Sequence, residues 1–194
     1  TDGTEPTVLS TLYSEPVLLD KTSTLKACSF TNGNPAEKSL SQSFNINKAT
    51  VKPVKYAIPF NENYKGSGEY TLVNGIHGTT NHHDGEWQAW SGTNMEVVID
   101  LQGTAEIHQI SVGALQNVGA WIFFPKKVDF FVSADGVKFQ KVGEAVNDVD
   151  PLSGEKQLKD FSASFSPISA NFVKVVATSL GKAPKGHAAE GNDA

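Results

Sequence analysis

No stretch of these 194 residues carries an apolar pattern of helical period for more than about two turns. What recurs is a period of two in short runs, each cut off by glycine, proline, asparagine or aspartate. Val128, Phe130 and Val132 alternate, as do Phe161, Ala163 and Phe165; Ile110, Val112 and Ala114 alternate against Ser111 and Gly113. Successive strand side chains point to opposite faces, so such runs build sheets with one apolar face, and two such faces must cover each other. Seventeen glycines and nine prolines spread along the chain supply the turns between many short strands. The predicted class is all-β, a sandwich.

The pattern predicts strands over residues 17–19, 24–30 and 41–46, with Asn32-Gly33-Asn34-Pro35 as a turn. A lysine-rich, irregular stretch over 47–56 marks the boundary between a unit of residues 1–48 and a larger one of 49–194. In the larger unit strands are expected over 95–101, 107–115 and 172–177. The strongest hairpin signal is VDFFVSA-DG-VKFQKV, in which Asp135-Gly136 turns the chain into a strand over 137–142. Asp2-Gly3 reads as a second tight turn.

Composition narrows the partners. All sixteen basic residues are lysines and the net charge is −5. Without arginine's planar fork, and with an acidic balance, nucleic acid and anionic membranes are poor partners. No apolar run approaches the ~18 residues of a membrane span. The lone Cys28 has no disulfide partner in the chain and reads as a small apolar filler. A neutral ligand suits this surface better.

Residues 72–139 hold all three tryptophans (Trp87, Trp90, Trp121) and four of the five histidines (His77, His82, His83, His108). Most lie in or beside glycine-broken loops, where a rigid β-scaffold presents binding chemistry. No catalytic signature accompanies them: there is no G-x-S-x-G, no H-E-x-x-H and no phosphate-binding glycine loop. The acidic pairs Asp148/Asp150 and Asp84/Glu86 are ordinary loop carboxylates, lacking the cleft that glycoside hydrolysis needs. The pattern is that of a binding module.

Several pieces carry a family likeness by their order and spacing: YTLVNG at 70–75, Trp87-Gln88-Ala89-Trp90, VVIDL at 97–101 and PKKVDFFVSADGVKF at 125–139. Together they resemble the discoidin domain, the coagulation factor five/eight C-type domain, which among bacterial enzymes is the family 32 carbohydrate-binding module. Residues 1–46, with TDGTEPT, Tyr13, Pro16, TLKA at 24–27, Phe30, Gly33, Ser43 and Phe44, resemble the small β-domain that follows the barrel of chitobiases and β-hexosaminidases. The tandem is similar to the C-terminal region of bacterial family 20 glycoside hydrolases, the β-N-acetylhexosaminidases. It implies a galactose-binding-like jelly roll preceded by a partial immunoglobulin-like β-sandwich. It also implies a non-catalytic accessory role beside a catalytic barrel, and a secreted, periplasmic or cell-surface location. Opening strands of the small domain and a closing acidic strand of the jelly roll do not occur in the sequence, so a piece excised from a longer protein is expected. A degenerate structural spacer and a protein-adhesion module are the rival functions.

The resemblance also implies calcium in the loop after YTLVNG, with Asn74 where the family has aspartate, Thr79 and Thr80 downstream, and the Val73 and His77 carbonyls nearby. Ca²⁺ takes six to eight oxygens, and amide in place of carboxylate weakens such a site, so a loop held only by hydrogen bonds stays an equal alternative. Zinc at His82-His83-Asp84 is disfavoured: neighbours in extended chain diverge, and there is no second ligand pair at i, i+4. For sugar, Trp121 offers a flat face, with His82, His83, Asn117 and His187 as hydrogen bonders and Trp87 as a second aromatic. Trp87 and Trp90, an odd number of residues apart, would face opposite sides of a strand, and each tryptophan is as readily core or lid as platform.

Overall fold

The computed structural model describes residues 3–36 and 38–194, so the Asp2-Gly3 turn lies partly outside the described residues. The first unit is two antiparallel ribbons. β1 (Ser23–Ala27) pairs with β4 (Leu40–Phe44), and β2 (Phe30–Thr31) with β3 (Asn34–Pro35). Asn32 and Gly33, at φ of 52° and 80°, form the two-residue turn between β2 and β3, a left-handed conformation that Asn-Gly adopts at small cost. The predicted strand over 24–30 is broken at Cys28 and Ser29. That over 17–19 does not form: Val17 and Leu18 are exposed, and among the described residues no strand pairs with them. Among the described residues, none before Thr71 is buried, so these ribbons enclose no core of their own.

The larger unit is a five-stranded antiparallel sheet in the order β5-β6-β9-β7-β8. β5 is Val54–Tyr56, β6 Met95–Gln116, β7 Lys127–Ser133, β8 Gln140–Val146 and β9 Gln157–Thr178. β6 and β9 are 22 residues each. Straight, such a strand would run about 70 Å, far beyond the ~14 Å radius of gyration of a compact domain this size. The ribbon therefore bends, at register shifts between Asp100 and Ala105 and between Ile107 and Gln109. Gln102 at φ 58° and Gly103 at φ 157° take the corner. Bending brings Val97, Ile99 and Leu101 into one cluster with Ile107, Ile110, Phe130, Phe161 and Val175. The sequence divides each of these strands in two because the bulges interrupt the period of two; the pairing itself runs on.

The predicted hairpin forms with a longer connection. β8 begins at Gln140 rather than Val137, leaving residues 134–139 as a loop. Asp135 folds that loop instead of turning it tightly: its Oδ1 accepts the Val137 and Lys138 N–H groups. Ser133 Oγ accepts those of Asp135 and Gly136. The alternation on β7 holds, with Val128, Phe130 and Val132 at the centre of the core.

Residues 45–51 join the units. Asn45 N–H donates to the Gly75 carbonyl, Val51 N–H to that of Val73, and Lys48 Nζ to that of Glu106. Ala49, Val54 and Tyr56 pack on the larger core.

Candidate functional site

Three loops meet where Gln116 of β6 faces Gln157 of β9. The first, residues 117–122, is closed at its base by reciprocal main-chain bonds between Asn117 and Ile122 at 2.9 and 3.1 Å. Its tip is a single 3-10 turn, Val118–Ala120, ended by Trp121. Trp121 is 54% exposed and sits at φ 61°, in the left-handed region that a bulky side chain rarely occupies. Its N–H donates to the Val118 carbonyl at 3.0 Å.

The second loop, residues 74–87, is organised by Asp84. Its Oδ2 accepts the Thr79 N–H at 2.6 Å and the Thr79 hydroxyl at 2.8 Å, and its Oδ1 accepts the Glu86 N–H at 2.9 Å. Burial pushes the Asp84 carboxyl upward, but these bonds outweigh it and hold it below the ordinary carboxylate value. The chain turns at 81–84, where Asp84 N–H reaches the Asn81 carbonyl. Because this segment is a turn and not extended, the His82 and His83 rings do not diverge as expected: their centroids are 3.9 Å apart at 43°. Asn117, 7% exposed, reaches across from the first loop to put its Nδ2 at 3.5 Å from His82 Nδ1. Burial, then His83, then Lys156 lower the His82 pKa, which favours the neutral imidazole. With Nδ1 as acceptor, Nε2 carries the hydrogen and is a donor.

Trp87 and Trp90 lie outside any strand, so the odd-spacing rule has no hold on them. Trp87 donates from Nε1 to the Thr79 carbonyl at 2.9 Å, and its ring covers Gly78. Trp90 donates to the Ile58 carbonyl and packs with Tyr56 and Phe60 against the core. Trp87 thus braces the second loop and Trp90 is core; Trp121 alone stands out.

The third loop, residues 181–194, is a compact turn with Ala183 and Ala189 buried. It carries His187. That residue's Nδ1 accepts the Ala189 N–H at 3.1 Å and its Nε2 lies 3.0 Å from the Val118 carbonyl. Both ring nitrogens are engaged by main chain. His187 also meets Trp121 and Phe123 edge to face, at 6.3 and 5.1 Å between centroids. Phe123 and Lys156 are neighbours of this site that the sequence reading does not single out: Phe123 sits in the apolar run after Trp121 and reads as core, and Lys156 lies far from the His and Trp loops in sequence.

Three of the calcium donors expected in the second loop, Val73, Asn74 and Thr79, already hold hydrogen bonds. The Val73 carbonyl accepts the Val51 N–H, and Asn74 Oδ1 accepts the Ile76 N–H at 2.8 Å. Asn74 Nδ2 points at Glu86 Oε2, 2.5 Å away, and Thr79 Oγ1 is shared between Asp84 and the Asn81 N–H. His77 is exposed. Among the described residues no group of three or more His, Cys, Asp or Glu could hold a metal. An amide N–H₂ facing the nearest carboxylate, with the other carboxylate spent on N–H donors, does not fit Ca²⁺. Asn74→Asp would set two carboxylates against each other. The expected result in chelator is a loss of about 1–3 kcal/mol, a few degrees of midpoint for a chain this size, partly restored by millimolar calcium. Wild type should show no shift in the same titration; a rise of several degrees would show that the loop takes the ion.

Bent antiparallel ribbons with loops gathered at one end define a galactose-binding-like jelly-roll module. The F5/8 type C domain matches residues 57–190, more than half of the chain, and the chitobiase/β-hexosaminidase C-terminal domain matches residues 1–41. The chain belongs to the F5/8 type C domain family. A solved structure similar to it is CpGH89CBM32-5 from Clostridium perfringens, in complex with GalNAc-β-1,3-galactose. The identity is 21%, over 66% of this chain and 85% of that one, with a TM-score of 0.43. Chitosan-binding module 2 of a chitosanase/glucanase from Paenibacillus sp. IK-5, in complex with chitotriose, is 16% identical over 76% of this chain and 94% of that one, TM-score 0.47. A Ruminococcus gnavus GH29 fucosidase is 14% identical over 76% of this chain but only 24% of its own, TM-score 0.48. A search of the curated proteins finds no match.

Proposed function

We propose that this chain is a non-catalytic, carbohydrate-binding accessory region that holds a secreted or cell-surface β-N-acetylhexosaminidase on a neutral glycan. The observation that carries it is Trp121, presented at a loop tip in a left-handed backbone conformation and 54% exposed. Strained residues persist where the surroundings impose them, and they cluster at binding sites. A flat aromatic face stacks on the apolar face of a pyranose, while the His82 donor and the neighbouring His83 take ring hydroxyls. Asn117 positions His82. The two family matches support the accessory role, and the second of them supports the hexosaminidase parent.

One observation favours a second role alongside the first. Leu9, Leu12 and Leu18 are 92%, 86% and 89% exposed, with Tyr13 among them. Large apolar side chains left this exposed suit packing against another surface, here the parent's catalytic domain. Glycan binding and docking are then duties of different units.

A glycan array tests the reading. The expected result is retention of neutral, β-linked galactose or N-acetylhexosamine glycans with a Kd of about micromolar to millimolar, as a small site allows. The chain should leave a chromogenic N-acetylglucosaminide intact. An empty array would leave docking as the sole function; hydrolysis that follows the chain through purification at constant specific activity would overturn the accessory reading.

A further inference from the structure

His187 shares an acceptor with the residue it faces. The Val118 carbonyl accepts two bonds at 3.0 Å, one from Trp121 N–H and one from His187 Nε2. Since Nδ1 accepts a main-chain N–H from Ala189, the ring hydrogen must sit on Nε2, which donates to Val118. The bond that holds Trp121 in its left-handed conformation and the bond from the third loop therefore converge on one oxygen. The imidazole also meets the Trp121 and Phe123 rings edge to face.

The third loop is itself well anchored. His187 N–H reaches the Pro184 carbonyl and Glu190 N–H the His187 carbonyl. Glu190 Oε2 accepts the Gly186 N–H at 2.8 Å. Ala183 N–H donates to the Asn192 carbonyl, and Gly92 N–H to that of Ala194. Apart from these two bonds, the main-chain ties of the tip 118–121 among the described residues are local: Ala120 N–H to the Asn117 carbonyl, and the bonds between Asn117 and Ile122 at its base.

We propose that His187 is a positioning residue for the Trp121 platform, acting through the Val118 carbonyl, and that the turn of residues 181–194 belongs to the binding machinery without touching the sugar. This rests on Trp121 being the platform. A preorganised ring loses less freedom on binding, so a loosened tip weakens affinity even when the ring is intact.

The test compares His187→Gln, whose amide N–H can still reach Val118, with His187→Phe, which keeps the ring edges and removes the donor. N,N′-diacetylchitobiose and methyl β-galactoside are the probes, titrated well below each variant's unfolding midpoint. The expected result is a Kd within about threefold of wild type for His187→Gln, and for His187→Phe a Kd about tenfold or more weaker than wild type, a loss of about 1.4 kcal/mol or more. Equal Kd values for Gln, Phe and wild type, whatever their midpoints, would reduce His187 to a structural part and overturn the inference. A Trp121→Ala control that still binds either probe overturns the platform reading instead, and a wild type that binds neither probe removes both.

Discussion

Trp121→Gly is expected to abolish glycan retention and to raise the unfolding midpoint at the same time. The two effects have separate origins. The indole is more than half exposed and fills no part of the core cluster, so its loss removes the sugar's stacking surface and leaves the core unaltered. The backbone at φ 61° costs a side chain about 1–2 kcal/mol relative to the right-handed region, and glycine adopts it freely. Part of that gain is lost again to the greater freedom of glycine in the unfolded chain, so a net gain of about 0.5–1 kcal/mol is expected. Trp121→Ala keeps the strain and should lose binding without gaining stability. The pair, read by glycan retention and thermal unfolding, separates platform from scaffold. Retention of glycan by either variant would overturn the platform; unfolding of both would show that the ring is a structural part of the loop.

How much of this could be read from the sequence depends on the range of the interaction. The period of two on β7 is a local signal, and Val128, Phe130 and Val132 stand where it puts them. The corner of the β6–β9 ribbon is not local: Gln102 takes a positive φ because the chain must fold back over its own core, and no feature of glutamine announces that. Residues 17–19 have strand composition but no strand partner among the described residues, and β-propensity without a neighbour builds nothing. The site shows the same division. That residues 80–87 and 117–121 are candidates for binding could be argued from residue types; how they are arranged could not. The spacing rule for extended chain separated His82 from His83, and a main-chain turn closed by Asp84 reunites them. His187 reads from sequence as a hydrogen bonder for sugar. The fold gives both its nitrogens to main chain 69 and two residues away, a use that only tertiary structure reveals.

Gly78 carries the largest expected loss of stability in the binding loops. A Cβ built there lies 2.3 Å from Trp87 Cε2 and 2.5 Å from Cζ2 and Nε1, far inside contact distance. The ring cannot flex away at its tip, as a lysine would, because Nε1 is bonded to the Thr79 carbonyl. Gly78→Ala must therefore expel the indole or shift the backbone that bears Thr79 and, through Asp84, the turn that holds His82 and His83. Overpacking of this kind costs about 1–3 kcal/mol, and the broken Trp87 bond adds about 1. For a chain of this size that is a fall of about 4–16 °C in the midpoint. Glycan affinity should fall with it, since the His82 donor loses its seat. The mechanism has a sharper signature than the loss itself. With Trp87→Ala in the background there is no ring to displace, so Gly78→Ala should cost almost nothing further, and the two changes should be strongly non-additive. Additive costs would mean that the clash is absorbed elsewhere and that Trp87 does not brace the loop.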